Sequence, residues 1–289
     1  MRFLFANLLK LPAVFLILFF TILPEWFSLK LAEGAGTLLY YLWRSRRKIA
    51  INAIRETSQF VELKTPMKEA DIVKRMFKHL GRSFAEIVRL YGGKRSILER
   101  IVFKGLENFH RAKESGRGVI FLTGHCGNWE LMAVAFGMTV EPIGVVARPL
   151  NIRTLNEVIE KMRSRYGNHV IYKKGAIREM LRLLRENRAV GILMDQSVLR
   201  QEGLLIDFLG RPAWTSRMPA MIAKKTGAKV LPAFIKRQGD GHLIEIGKEI
   251  ELTGDEIEDT KRLSSYIERY IIENPSEWLW IHRRWKQRN

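Results

Sequence analysis

A chain of 289 residues with 47% hydrophobic content is long enough to bury a sizeable core and too apolar to stay disordered, so one compact domain with a helical annex is expected. Its 49 Lys and Arg against 30 Asp and Glu give a net charge of +19, which points to anionic partners such as nucleic acid, a phospholipid surface or an acidic protein. The sole cysteine, Cys126, excludes an intrachain disulfide framework and a multi-cysteine zinc site.

In chain order, Phe3 to Leu23 is apolar apart from Asn7, Lys10, Pro12 and Thr21. As one helix it reaches about 31 Å, close to the ~30 Å of a bilayer core, so residues 1–30 are expected to form an N-terminal membrane anchor. Lys10 lies near enough to one end to snorkel. Pro24-Glu25-Trp26-Phe27 follows, without the small-residue pattern of a signal-peptide cleavage site. Arg44, Arg46, Arg47 and Lys48 lie beyond, where only Arg2 precedes, and this bias places the rest of the chain in the cytoplasm. A helix lying in the interface or docked on the core is the alternative that the broken apolar run leaves open.

Gly36 to Arg55 reads as a helix with Leu38, Leu39, Leu42, Ile49 and Ala53 at apolar positions and basic residues between them. Met67 to Leu90 reads as another, with Ile72, Met76, Phe77, Leu80, Phe84, Ile87 and Val88 recurring at three and four; His79 within it is expected at the surface. Residues 31–100 are thus a helical annex to the core of residues 101–289. There the pattern changes to strands alternating with helices, the signature of an α/β fold with a mixed, mostly parallel central sheet. Expected strands are 101–104, 119–122, 143–147, 170–172, 190–194, 229–235 and 242–246. Expected helices are 129–137, 154–166, 176–186, 216–225 and 255–272.

Between the second strand and its helix lies Gly118 to Gly137, GVIFLTGHCGNWELMAVAFG. Residues five apart on one helix diverge by about 140°, so His125 and Glu130 meet only if His125 is on the loop and Glu130 in the first helical turn. Asn128 is then the N-cap and Glu130 suits the helix dipole. A carboxylate on one imidazole nitrogen leaves the other to take a proton from a hydroxyl. The structural alternative is that Asn128 merely caps a helix beside a satisfied loop histidine. Cys126 neighbours the candidate base, but adjacent side chains seldom converge, which argues against a thiol nucleophile. Arg148 and the pair Asp195-Gln196 also follow expected strands directly, where ligands bind in open α/β sheets. Each has a plainer use, Arg148 in a surface ion pair and Asp195 as a cap. Phe208-Leu209-Gly210-Arg211-Pro212 reads as a hairpin-like turn from which Arg211 is a candidate ligand contact.

The block His125-Cys126-Gly127-Asn128-Trp129-Glu130 after an apolar strand resembles the His-x4-Asp/Glu motif of the glycerolipid acyltransferase superfamily, and its Asn-Trp-Glu form resembles the late acyltransferases of bacterial lipid A synthesis. Ala147-Arg148-Pro149, Asp195-Gln196, Asp207 to Ala213, Thr226-Gly227-Ala228 with Pro232, and PSEWLWIHRRWK from Pro275 to Lys286 extend the likeness over nearly the whole chain. The resemblance implies transfer of a fatty chain from acyl carrier protein to a lipid A precursor, with His125 as general base and Glu130 holding its tautomer. Asn128, Arg148, Asp195, Gln196 and Arg211 are the substrate-binding candidates. It implies direct transfer without a covalent enzyme intermediate, backbone N–H groups of Gly127 to Trp129 at the oxyanion, and no metal or organic cofactor.

Ala147 stands where an aromatic is common in that family, and Asn151-Ile152-Arg153 replaces an Asn-Pro run. These departures leave open a lysophospholipid, another glycolipid or an amino-acid lipid as acceptor. The tail from Trp278 to Lys286 joins cations to amphipathic aromatics, as membrane-interface segments do, with a solvated tail as the alternative. A nucleic-acid-binding protein would also explain the charge, but no helix-turn-helix, zinc finger or RNA-recognition signature is present.

Overall fold

The computed structural model describes residues 11–147, 153–172 and 175–286. It opens with four helices, α1 (Leu11–Ile22), α2 (Glu25–Leu42), α3 (Arg44–Thr57) and α4 (Glu69–Tyr91). The single helix expected over 36–55 is two, broken at Trp43, whose ψ of 60° leaves the helical region. The boundary expected after residue 30 falls inside α2.

Residues 1–10 of the expected N-terminal membrane helix lie outside the described residues; of the remainder, Leu11–Ile22 is helical as α1. The described part of α1 has 12 residues, about 18 Å, and among the described residues no helix is long and apolar enough to cross a membrane. Pro24 separates it from α2, and both pack on α4. Phe20, Leu29 and Ala32 are buried there with Ala85 and Val88 of α4. Arg89 of α4 closes the end of α1 by donating to the carbonyls of Phe20 (2.6 Å) and Leu23 (2.8 Å), acceptors that a helix C-terminus leaves unpaired. The outward side of α1 and α2 remains apolar, with Phe15, Leu18, Phe19, Ile22, Trp26 and Leu42 exposed.

The rest is a seven-stranded sheet in the order β1-β9-β8-β2-β5-β3-β4, parallel except for the antiparallel pair β8–β9. The strands are β1 (Ile101–Lys104), β2 (Val119–Thr123), β3 (Gly144–Ala147), β4 (His169–Tyr172), β5 (Ala189–Leu193), β8 (Lys229–Gln238) and β9 (Gly241–Ile246). Between β6 (Gly203–Phe208) and β7 (Arg211–Ser216) runs the tight turn that Leu209-Gly210 predicted, forming a separate hairpin. The central strand β2 is buried at every residue, as a strand covered on both faces must be. Ile120 and Leu122 join one core layer, with α8 (Ala176–Arg185), α9 (Met218–Thr226) and α10 (Glu256–Glu273). Val119 and Phe121 join the opposite one, with α5 (Leu106–Glu114) and α6 (Trp129–Thr139). Helix α7 (Arg153–Ser164) follows β3.

Register sets the site. Thr123 pairs with Leu193 at the carboxyl ends of β2 and β5, and the Met194 N–H reaches the Thr123 carbonyl at 3.0 Å. His125 and Asp195 each lie two residues beyond that pair, so the sheet delivers both to one place.

Candidate active site

The loop from Gly124 to Asn128 is held from three sides. A Cβ on Gly127, whose φ is +57°, would stand 1.9 Å from the Ile235 carbonyl of β8, so only glycine lets the loop lie so low on the sheet. A Cβ on Gly124 would press on the Asp195 side chain at 3.2 Å. Asn128 caps α6 as its spacing predicted, its Oδ1 accepting from the Leu131 N–H at 3.2 Å. Its amide Nδ2 donates to Oε2 of Glu86 at 2.9 Å, so the Asn128 side chain is engaged within the protein on both ends. Glu86 is buried and also receives Arg237 through both guanidinium nitrogens (2.6 and 3.0 Å) and His242 (3.0 Å). Burial works against its charge, but these partners hold its carboxyl far below the usual range. His79, expected at the surface, instead lies against the Gly127 backbone with its Nε2 at 3.3 Å from the Ser83 hydroxyl, and burial pushes its pKa down.

His125 directs Nδ1 to Oδ1 of Asp195 at 2.9 Å. The indole N–H of Trp278 donates to the other carboxylate oxygen, Oδ2, at 2.8 Å. Asp195 is 2% exposed and His125 23%, so the imidazole forms the outer member of a buried chain. Burial alone would lower the His125 pKa, but the charge of Asp195 and its hydrogen bond outweigh it and raise the value above the ordinary one. Burial likewise disfavours the Asp195 carboxylate, yet His125 and the Trp278 donor hold it well below the usual range. The Gln196 amide nitrogen lies 3.3 and 3.2 Å from the two ring nitrogens. Near-equal distances of that size place it over the ring face, in line with neither lone pair, so Nε2 of His125 keeps its basic direction. Trp129 meets the same ring edge-on, with centroids 5.1 Å apart.

The carboxylate on Nδ1 of His125 is that of Asp195, and no hydrogen bond described joins Glu130 to His125. Because α6 begins at Trp129, Glu130 sits in its first turn and turns sideways to α7, where Nε of Arg163 donates to Oε2 at 3.0 Å and Nη2 donates to Oε1. Its charge still reaches His125 and favours the protonated imidazole. Of the N–H groups expected at an oxyanion, that of Gly127 is spent on the Glu277 carbonyl at 2.8 Å. Arg211 is tied to Glu56 and stacked on Trp285 at 4.1 Å, and no hydrogen bond or ion pair described joins it to His125. Arg148 lies outside the described residues. Cys126 is buried and its thiol is pushed well up by burial, a poor state for a nucleophile.

Beside the Trp129 ring opens an apolar cavity of about 350 Å³, within the range of sites that take small ligands. Ile17 of α1, Leu80, Phe84 and Ile87 of α4, Val134 of α6 and Tyr166 line it, together with the charged pair Glu130 and Arg163. Sequence reasoning found His125 and Asp195 but not their pairing, and missed Trp278, Glu86 and Arg163. The equal two-residue offset of His125 and Asp195 from their strands was the available signal for the pair. The tail aromatics, expected at a membrane interface, are internal instead: Trp278 and Trp280 are 1% and 0% exposed.

The family model for bacterial lipid A biosynthesis acyltransferases matches residues 8–287. A phosphatidylinositol mannoside acyltransferase of Mycolicibacterium smegmatis is 24% identical over 74% of this chain and 72% of its own length. A lipid A biosynthesis palmitoleoyltransferase of Escherichia coli is 28% identical over 64% of this chain and 61% of its own. A lipid A biosynthesis lauroyltransferase of the same organism is 25% identical over 90% and 85%.

Proposed function

The chain belongs to the bacterial lipid A biosynthesis acyltransferase family and is an acyltransferase, and from that premise we propose that it moves a fatty chain from acyl carrier protein to a hydroxyl of a lipid A precursor. The observation that carries this reading is the His125–Asp195 couple beside an apolar cavity at the carboxyl ends of β2 and β5.

In this mechanism Nε2 of His125 takes the acceptor's hydroxyl proton while that oxygen attacks the thioester carbonyl. Asp195 fixes the tautomer and stabilises the imidazolium that forms. As the tetrahedral intermediate collapses, the carbon–sulfur bond breaks and the imidazolium returns its proton to the departing thiol. No acyl-enzyme forms. The acyl chain lies in the cavity behind Trp129, where burying each CH₂ is worth about 0.8 kcal/mol. Glu130 and Arg163, paired with each other, are the charged residues of that cavity's lining.

In this proposal the exposed apolar side of α1 and α2 rests in the interface of an inner membrane from the cytoplasmic side, with the exposed Arg44 and Lys48 toward anionic headgroups. The basic surface steers an acidic carrier protein to the site. The mannoside acyltransferase likeness favours one second acceptor, a mannosylated phosphatidylinositol.

The deciding experiment incubates the full-length protein with a panel of acylated carrier proteins and, separately, a tetra-acylated lipid A precursor or a mannosylated phosphatidylinositol, with mass spectrometry of the lipid. A gain of one acyl group on the precursor, lost in a folded His125→Ala variant, is expected. Gain on the mannoside alone would move the acceptor, and full activity in His125→Ala would overturn the general base.

A further inference from the structure

Asp195 presents two oxygens to a buried place where water cannot serve either. Oδ1 is taken by His125, and an unpaired Oδ2 there would be costly. Its donor is the indole N–H of Trp278 at 2.8 Å, which comes from the far end of the sequence. That donor is itself firmly placed. Residues 126 and 278 form an antiparallel bridge; the Gly127 N–H donates to the Glu277 carbonyl at 2.8 Å, and the Leu279 N–H donates to the His125 carbonyl at 3.2 Å. The indole ring packs against Trp280 with centroids 4.6 Å apart and against Phe208 at 5.8 Å. One short segment, Glu277 to Leu279, therefore grips the backbone of the histidine and the carboxylate that orients it.

We infer that Trp278 is a positioning residue for acyl transfer, fixing the rotation of the Asp195 carboxylate so that Oδ1 stays in line with Nδ1 of His125. The carboxylate torsion is broad and nearly two-fold, so without the indole N–H the two oxygens would exchange at the imidazole, held only by the His125 ring and backbone N–H, which keeps the charge beside His125 but loses the single fixed line to Nδ1. Trp278 touches no reacting atom; it acts through Asp195. The inference rests on His125 being the base, as proposed above.

The indole N–H also shares the carboxylate's negative charge. Removing it leaves that charge more fully to the imidazolium, so His125 should titrate at higher pH. The other charged groups felt by His125 are Glu130, which acts in the same direction, and Arg163, which opposes it. Arg284 is the further cation felt across Asp195. None of these is altered by the substitution.

The test uses full-length protein labelled at histidine Cε1, with the His125 resonance assigned by its absence from His125→Ala. In Trp278→Phe the His125 midpoint should move upward, and kcat should fall about tenfold, the scale of one lost hydrogen bond to a charged group, with KM unchanged. The acid limb of kcat should move up with the midpoint. A folded variant with an unchanged midpoint overturns the inference, even if kcat falls, because loss of packing alone would do that. Should Trp278→Phe not fold, benzothienylalanine placed at 278 by nonsense suppression keeps the ring's shape and removes only the N–H. If the wild-type protein transfers no acyl group from any donor, the functional reading fails, and the His125 midpoint still decides the role of Trp278.

Discussion

Trp278, Trp280 and Trp285 in the C-terminal tail each donate the indole N–H inside the protein, to Asp195, to the Pro275 carbonyl and to the Phe208 carbonyl, at 2.8, 2.7 and 3.2 Å. Trp26 and Trp43, at the two ends of α2, stand 70% and 45% exposed. Both regions mix aromatics with cations: Lys30 lies near Trp26, Arg44, Arg46 and Arg47 follow Trp43, and Arg283 and Arg284 lie in the tail. The tail buries even its cation: Arg284 is fully buried, its guanidinium donating to the Trp214 carbonyl at 2.7 Å and lying 4.3 Å over the Phe208 ring. Burial pushes its pKa down to about 10. An amphipathic aromatic segment goes inside when the fold supplies acceptors for its N–H groups, and stays at an interface when it does not.

The buried tail meets the chemistry at Asp195, through the Trp278 indole N–H. Asp195→Asn should lower kcat by roughly 10³-fold or more, because an amide neither fixes the tautomer nor stabilises the imidazolium. The sign of the accompanying pH effect follows from what remains. Asp195 is the main group raising the His125 pKa against burial. Without it burial dominates, so the acid limb of the residual rate should move to lower pH, opposite to the shift expected for Trp278→Phe. Rate–pH profiles of the two variants side by side check this, and shifts of the same sign would sink the assignment of Asp195.

Next in size is the cost of emptying the tail's core. Trp280 is fully buried with its ring 4.6 Å from that of Trp278. Trp280→Ala should destabilise the protein by about 3–5 kcal/mol in chemical denaturation, the range for a large aromatic replaced in a packed core. A loss below about 1 kcal/mol would mean that the tail is not part of the cooperative unit.

Much of the fold was legible because the α/β region states its periodicity plainly. Short apolar runs at β2 and β5, the Asn128 cap and the Gly-containing turn after Phe208 are local signals, and the structure follows them. What escaped was set by tertiary choice. Nothing local tells Glu130 to prefer Arg163 over His125; that choice depends on where α7 packs beside α6. Likewise the break at Trp43 and the turn at Pro24 fold an apolar N-terminus onto α4, a result decided by partners more than fifty residues away in sequence, such as Arg89. The Trp278–Asp195 bond joins residues 83 positions apart, beyond any motif window.

The smallest expected effect on stability lies at the other end of the comparison. Trp26 and Phe27 are 70% and 42% exposed on the outer side of α2, so Trp26→Ser with Phe27→Ser removes little that the folded chain buries. The midpoint of unfolding should move by no more than about 0.5 kcal/mol per site. The same pair should weaken partition onto vesicles containing anionic lipid by about tenfold or more, since apolar area that water now covers would otherwise enter the interface. Cosedimentation of the two proteins with vesicles of matched composition checks it. If partition holds while the double variant Arg44→Gln, Lys48→Gln loses it, headgroup charge and not the aromatic face carries the attachment. If the double serine variant unfolds, the exposed face is part of the core after all, and the contrast with the tail disappears.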